Sequence, residues 1–265
     1  MKNLKKTSII LSILSFLTLF TSANAEIKVV ASIKPIHSLA SYLMDGVAKP
    51  DLIVDGYASP HGFAMKPSHA KMLQNADIVF WVGEDLENFL EKPLNSIATK
   101  AEKIEFMDLK GLVKLKFRER NIFDDHDDHD HDEHAKKEDG HDDHDDHDGH
   151  EGHHHGEFDP HIWLDPINAK TILFEMSKHL IENDPKNEAT YRANLSKAYK
   201  EIDKLTANVS SELTNSVASI VFHDAYQYFE KRFDVNILGA FTVNTDVLPG
   251  AEQLAEIREI IEHDK

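Results

Sequence analysis

Three histidines stand in segments suited to holding a metal ion. His61 lies in Ser59-Pro60-His61-Gly62-Phe63, His161 in Asp159-Pro160-His161-Ile162-Trp163-Leu164-Asp165-Pro166, and His223 directly after Ser219-Ile220-Val221-Phe222. The 265-residue chain has no cysteine, which excludes disulfides, thiolate metal sites and a cysteine nucleophile. Any metal site must therefore use His, Asp or Glu. An imidazole trio suits zinc, which takes neutral nitrogen ligands in tetrahedral geometry without redox demand. Asp159, Asp165 and Asp224 are candidates to orient those rings, although each also reads as a turn residue or helix cap. For any single histidine a surface or hydrogen-bonded role is the commoner one. His37, His69, His179 and His263 lie on predicted helices or at their ends and are read as ordinary. The trio is far apart in sequence, so only the fold can bring it together.

Those residues need a scaffold, and the hydrophobic pattern supplies one. Ile27 to Ile33 is β-rich, and Ile36, Leu39, Ala40 and Leu43 follow at helical spacing. Leu52-Ile53-Val54 is a short apolar run ending in the loop Asp55 to His61, after which Pro67-Ser68 opens a helix with Ser68 as its expected N-cap. Ile78 to Val82 is an uninterrupted apolar run, as in a parallel strand covered on both faces. A helix over Glu84 to Leu94 and a strand over Ile104 to Met107 follow. Asn168 to Ile181 reads as a helix, and a longer one, spanning about 40 Å at about 1.5 Å per residue, is expected from Pro185 to Leu213. Ser219 to Phe222 and Asn236 to Phe241 read as strands, and Leu254, Ile257 and Ile261 mark a final helix. The alternation predicts two α/β lobes with parallel sheets, joined by one long bridging helix. In this division residues 26–123 and 158–184 make the first lobe, 185–213 the bridge, and 214–265 the second lobe. The placement of His61 and His223 just beyond strands is where open α/β sheets bind ligands, and His161 is expected in an equivalent position.

Residues 124–157 interrupt the pattern. They contain sixteen acidic residues against Lys136 and Lys137, eleven of the eighteen histidines, and almost no apolar side chain. Such a segment buries too little to offset the entropy of ordering it, so it reads as a disordered, low-complexity insertion. Its imidazoles become ligands when neutral, while its carboxylates concentrate divalent cations, which predicts several loose, exchangeable zinc sites. The formal net charge of −18 is concentrated there and offers no basic face to nucleic acid.

The first 25 residues give the compartment. Lys2, Lys5 and Lys6 precede the apolar stretch Ile9 to Phe20, and Ala23-Asn24-Ala25 supplies small residues for signal cleavage. The apolar stretch is short for a membrane span. The expectation is a cleaved signal peptide over 1–25, a mature chain beginning at Glu26, no stable membrane insertion afterwards, and a periplasmic location.

The segments GYASPHGFAMKPSHAKMLQNADIVFWVGEDLENFL, DPHIWLDP and VFHDAYQYFE together resemble the metal-binding component of zinc ABC importers, the ZnuA type. The resemblance covers nearly all of the chain after residue 25, and the insertion itself is similar to the His- and Asp-rich loop of zinc members. It implies two α/β lobes joined by one long helix, with His61, His161 and His223 on the three histidine ligand positions. Manganese-binding relatives look similar but carry Glu at the position of His223, so histidine there implies zinc. The family's last ligand, an Asp in the second lobe, falls past Lys265. The expectation is therefore a chain truncated at its C-terminus, with an incomplete second lobe.

The function implied is capture of a zinc ion by a monomeric protein and its delivery to an inner-membrane ABC permease, without catalysis. Two other readings compete. In a periplasmic zinc buffer the insertion would be the functional part. A zinc hydrolase would need an open coordination position and a base, yet neither H-E-x-x-H nor G-x-S-x-G occurs.

Overall fold

The computed structural model describes residues 26–118, 122–123, 156–214, 217–243 and 249–263. The expected signal peptide and residues 124–155 of the insertion lie outside the described residues.

Strand β1 (Val29–Ile33) is buried along its whole length and sits between β2 (Asp51–Val54) and β3 (Ile78–Trp81). With β4 (Glu102–Glu105) at the far edge, the sheet order is β2-β1-β3-β4, and all pairings are parallel. The apolar runs explain the order, because β1 and β3 are covered on both faces whereas β2 and β4 expose residues at the edges. The chain leaves β1 toward one side and returns to pair on the other, which opens a crevice at the carboxyl ends of the strands.

Helix α1 (Lys34–Leu43) presents Ile36, Ala40 and Leu43 to the core. Helix α2 (Pro67–Asn75) starts at Pro67, with Lys66 as the N-cap and Ser68 inside the first turn. Ser68 therefore does not cap it. The Lys66 N–H instead donates to His69 Nδ1 at 3.1 Å, and burial together with the nearby Lys66 charge holds the His69 imidazole below its ordinary pKa, in the accepting form. Helix α3 (Glu84–Ser96) follows Gly83, whose φ of 155° and approach to Glu105 and Met107 leave no room for a Cβ.

Helix α4 (Pro166–Asn183) buries Ile172, Leu173, Met176 and Leu180 against the sheet layer. A short 3-10 turn leads into α5 (Glu188–Glu212), whose 25 residues span about 38 Å. Only Tyr191 and Ala198 of α5 are buried. The helix packs on α1 and α4, and Asn194 clasps the end of α1 by donating to the carbonyls of Leu43 and Asp45 at 2.8 and 2.9 Å. It then delivers the chain to a second sheet of two parallel strands, β5 (Ser219–His223) and β6 (Ile237–Thr242), joined through α6 (Gln227–Phe233). Helix α7 (Ala251–His263) packs against β6. The architecture is the expected mixed α/β one, with parallel sheets and a long helix between them. Its second sheet is small, and β5 has no fully buried residue.

Candidate metal centre

His61 sits in the loop between β2 and α2. Gly56 turns the start of that loop at φ 75°, its N–H donating to Asp55 Oδ1 at 2.6 Å, and Lys34 Nζ donates to the Gly56 carbonyl. Nearer the ligand, the His61 N–H donates to Ser59 Oγ at 3.2 Å, and the Phe63 ring packs tilted against Phe89 of α3, with centroids 5.1 Å apart. His223 is the last residue of β5. His161 is not at a strand exit, contrary to expectation. It precedes a single 3-10 turn, Ile162–Leu164, which leads directly into α4. Two prolines and two aspartates make that segment turn sharply, so the ligand is presented from a corner and not from a sheet edge.

The fold brings the three together. One ring nitrogen from each of His61, His161 and His223 lies within 4.8 Å of the others. The ring centroids are 5.6, 5.6 and 5.2 Å apart, and the His161 and His223 Nε2 atoms are separated by 3.4 Å. Zinc–nitrogen bonds of about 2.0–2.1 Å put neighbouring tetrahedral ligands about 3.3 Å apart. The His161–His223 separation already has that value, and the three imidazoles are donors that zinc accepts.

Asp159 orients His161. Its Oδ1 accepts from the His161 ring at Nδ1 (2.7 Å) and from the His161 backbone N–H (2.9 Å), with only 1% of the residue exposed. A proton held on Nδ1 leaves the Nε2 lone pair directed at the cleft. Burial, followed by the neighbouring His161 and His61, lowers the His223 pKa to about 4. Its imidazole is neutral at ordinary pH and ready to donate a lone pair.

The other two aspartates have different roles. Asp165 caps α4 by accepting from the Ile167 N–H at 2.9 Å, and it receives both Nε and Nη2 of Arg232 at 2.8 and 2.7 Å. Asp224 lies 3.5 Å from Arg118, and burial raises its carboxyl to about 6 despite that cation. Neither carboxylate is in hydrogen-bond contact with a ring of the trio; both belong to the seam between the sheets. Further residues of that seam were not legible in the sequence. Tyr228 of α6 donates to the Asp159 carbonyl (2.7 Å) and accepts from the Leu115 N–H (3.1 Å). Gln227 Nε2 donates to the Lys116 carbonyl at 3.0 Å, and Arg118 pairs with Glu230 while its guanidinium lies 3.8 Å from the Phe123 ring centroid. With Arg232, these groups fasten α6 to the corner that carries His161.

The histidines face a cavity of about 640 Å³ whose wall includes Trp163, Leu164, Phe222 and Tyr226. The chain flanks of the insertion adjoin this region. The Phe123 N–H donates to the Leu238 carbonyl of β6 at 2.9 Å, and Lys116 bridges to Phe158 three residues before His161.

Comparison with known proteins supplies the family. Residues 29–265 match the family described as "Zinc-uptake complex component A periplasmic". The chain belongs to the zinc-uptake component A family. The high-affinity zinc uptake system protein ZnuA of Brucella abortus (strain 2308) is 47% identical over 243 residues, covering 88% of this chain and 72% of that protein. A crystal structure of ZnuA superimposes with a TM-score of 0.69 at 20% identity, covering 91% of this chain and 79% of that one. The Zn(II)-bound ZnuA-like domain of Streptococcus pneumoniae AdcA follows at 0.64 and 17%, covering 91% and 76%. At these identities the structures establish the shared fold. The component A family is a periplasmic one by its description, and among the described residues no helix is long and apolar enough to cross a membrane.

Proposed function

We propose that this chain captures a single zinc ion between His61, His161 and His223 in the periplasm and passes it to an ABC-type permease of the inner membrane. The observation that carries the reading is the convergence of three imidazoles from three separate segments, with His161 already held in the ligating tautomer by Asp159. Family membership supplies zinc uptake as the setting, and relatives such as the Brucella abortus ZnuA are named for high-affinity zinc uptake. The ion is cargo. Neutral imidazoles bind it without a net charge of their own, and the wide cavity leaves it reachable from solvent. Both properties suit binding followed by release, and no reaction step is assigned to the site.

Competition titration against a chromophoric zinc chelator tests the reading. The wild-type chain should hold one zinc ion tightly, and His61→Ala, His161→Ala and His223→Ala should each weaken it by 100-fold or more, since each deletes one of three donors. Tight binding should survive deletion of residues 124–155. Unchanged affinity in the three histidine variants would refute the trio as the capture site, and loss of tight binding on deleting the insertion would transfer the function to that segment.

A further inference from the structure

Among the described residues a second set of side chains has metal-binding spacing, on the outer face of the first lobe and separate from the cleft. Glu102 opens the edge strand β4, and His179 and Glu182 lie three positions apart near the end of α4. One ligand atom from each lies within 4.8 Å of the others. His179 Nδ1 is 2.8 Å from Glu102 Oε1 and 3.9 Å from Glu182 Oε2. These two separations bracket the roughly 3.3 Å expected between tetrahedral zinc ligands. Glu102 and Glu182 are 37% and 56% exposed, so each carboxylate has room to adjust toward that value.

What surrounds the trio distinguishes it from an ordinary surface ion pair. Metal-binding histidines usually offer their second ring nitrogen to a carboxylate, which fixes ring orientation and raises donor strength. Here His179 Nε2 lies 3.3 Å from Glu175 Oε1, one helical turn back, and Lys178 holds that same oxygen at 2.7 Å. The Glu102 carboxylate is likewise aimed, because Asn183 Nδ2 donates to its Oε2 at 2.7 Å and leaves Oε1 facing the imidazole. The ring is itself only 14% exposed. Ligands and their supporting partners are thus present on two rigid elements.

We propose that His179, Glu102 and Glu182 form a second, peripheral zinc site with water in the fourth position. One imidazole and two carboxylates form a donor set that zinc accepts in tetrahedral sites. An ion there ties the edge strand β4 to α4. It binds more weakly than an ion in the cleft, because two of its ligands must first be immobilised from solvent. Its position far from the seam between the sheets makes it independent of the capture trio.

Long-range proton–nitrogen correlation spectra of the full-length, nitrogen-15-labelled chain test this one imidazole directly, with His179→Gln identifying its signals. Zinc chloride is added past the equivalent that fills the cleft. The expected result is a change of the His179 Nδ1 shift to that of a metal-bound nitrogen, with the single ring proton then on Nε2, facing Glu175. In the double variant E102Q/E182Q the zinc concentration needed should rise at least tenfold. In H61A/H161A/H223A the His179 response should persist, which separates failure of this site from failure of the cleft. A Nδ1 that retains its proton up to millimolar zinc, or a response unaltered in E102Q/E182Q, overturns the proposal.

Discussion

Replacing Asp159 with Asn preserves the side chain's shape and removes its charge. The amide oxygen can still accept from His161 Nδ1 and the His161 N–H, which the carboxylate does at 2.7 and 2.9 Å. What disappears is a buried negative charge behind the ligand. A hydrogen bond of that length, one imidazole ring and a zinc–nitrogen bond place the ion about 7 Å from the carboxylate oxygen. A dication and a unit charge at that distance attract by about 5 kcal/mol at an effective dielectric of 20, and by about 1 kcal/mol at that of water. The cleft is partly open, so the effect falls between these limits. Loss of such a supporting partner typically costs about 10–100-fold in metal affinity, or about 1.4–2.7 kcal/mol. Asp159→Asn should therefore weaken the tight zinc site by one to two orders of magnitude with the stoichiometry unchanged. Chelator competition on the full-length chain reads the affinity, and thermal denaturation without zinc confirms that the fold persists. A Kd within twofold of wild type, in a protein where His161→Ala abolishes tight binding, would refute the claim that Asp159 tunes the ligand.

Other outcomes follow from the same contacts. Tyr228→Phe leaves the Asp159 carbonyl and the Leu115 N–H without their buried partner and should cost about 1–3 kcal/mol in urea denaturation. Arg232→Met strips the two-pronged partner from Asp165, whose side chain is 4% exposed, and should destabilise by a similar amount, about 1–3 kcal/mol by the same assay. Glu87 is buried with its carboxyl raised to about 7, chiefly by desolvation, while accepting from the Val82 and Gly83 N–H groups at 2.8 and 3.0 Å. The folded state thus holds a proton between about 4.5 and 7 that the unfolded chain releases, and this contribution to stability is lost as pH rises through that window. Glu87→Gln should remove this group's share of the pH dependence and gain about 1–3 kcal/mol at pH 8, measured by chemical denaturation. His223 acts in the opposite sense. Its folded pKa of about 4 lies below the ordinary 6.5, so the zinc-free protein loses stability as pH falls from about 6.5 toward 4, and His223→Gln should reduce that loss in denaturation at pH 5 against pH 7.5.

Much of this protein is written along the chain. The run IVFWV is apolar without interruption and IKVVASI is rich in β-branched residues, and they became the two strands buried on both faces. The long Gly- and Pro-free stretch with sparse apolar positions became a 25-residue helix with two buried residues. The histidine at the end of β5 and the one after β2 were recognisable as ligand candidates because strand ends of parallel sheets are open to solvent and convergent. Local pattern was less informative where a partner lies far away. Ser68 reads as a cap by type, yet Pro67 starts the helix one residue earlier and a histidine in the first turn serves Lys66. Asp159, Asp165 and Asp224 look alike in sequence, but one meets a ring, one a helix end and an arginine, and one Arg118. His179 passes for an ordinary helix residue until β4 brings Glu102 against it.

Sequence alone determined which residues can bury surface, which cannot, and which atoms can bind a metal, because those properties belong to each residue and its near neighbours. The tertiary structure decided which imidazoles share a centre. His161 and His223 lie 62 positions apart in the chain and 3.4 Å apart in space, and that distance comes from sheet order, the corner after Pro160 and the Tyr228 and Arg232 contacts acting together.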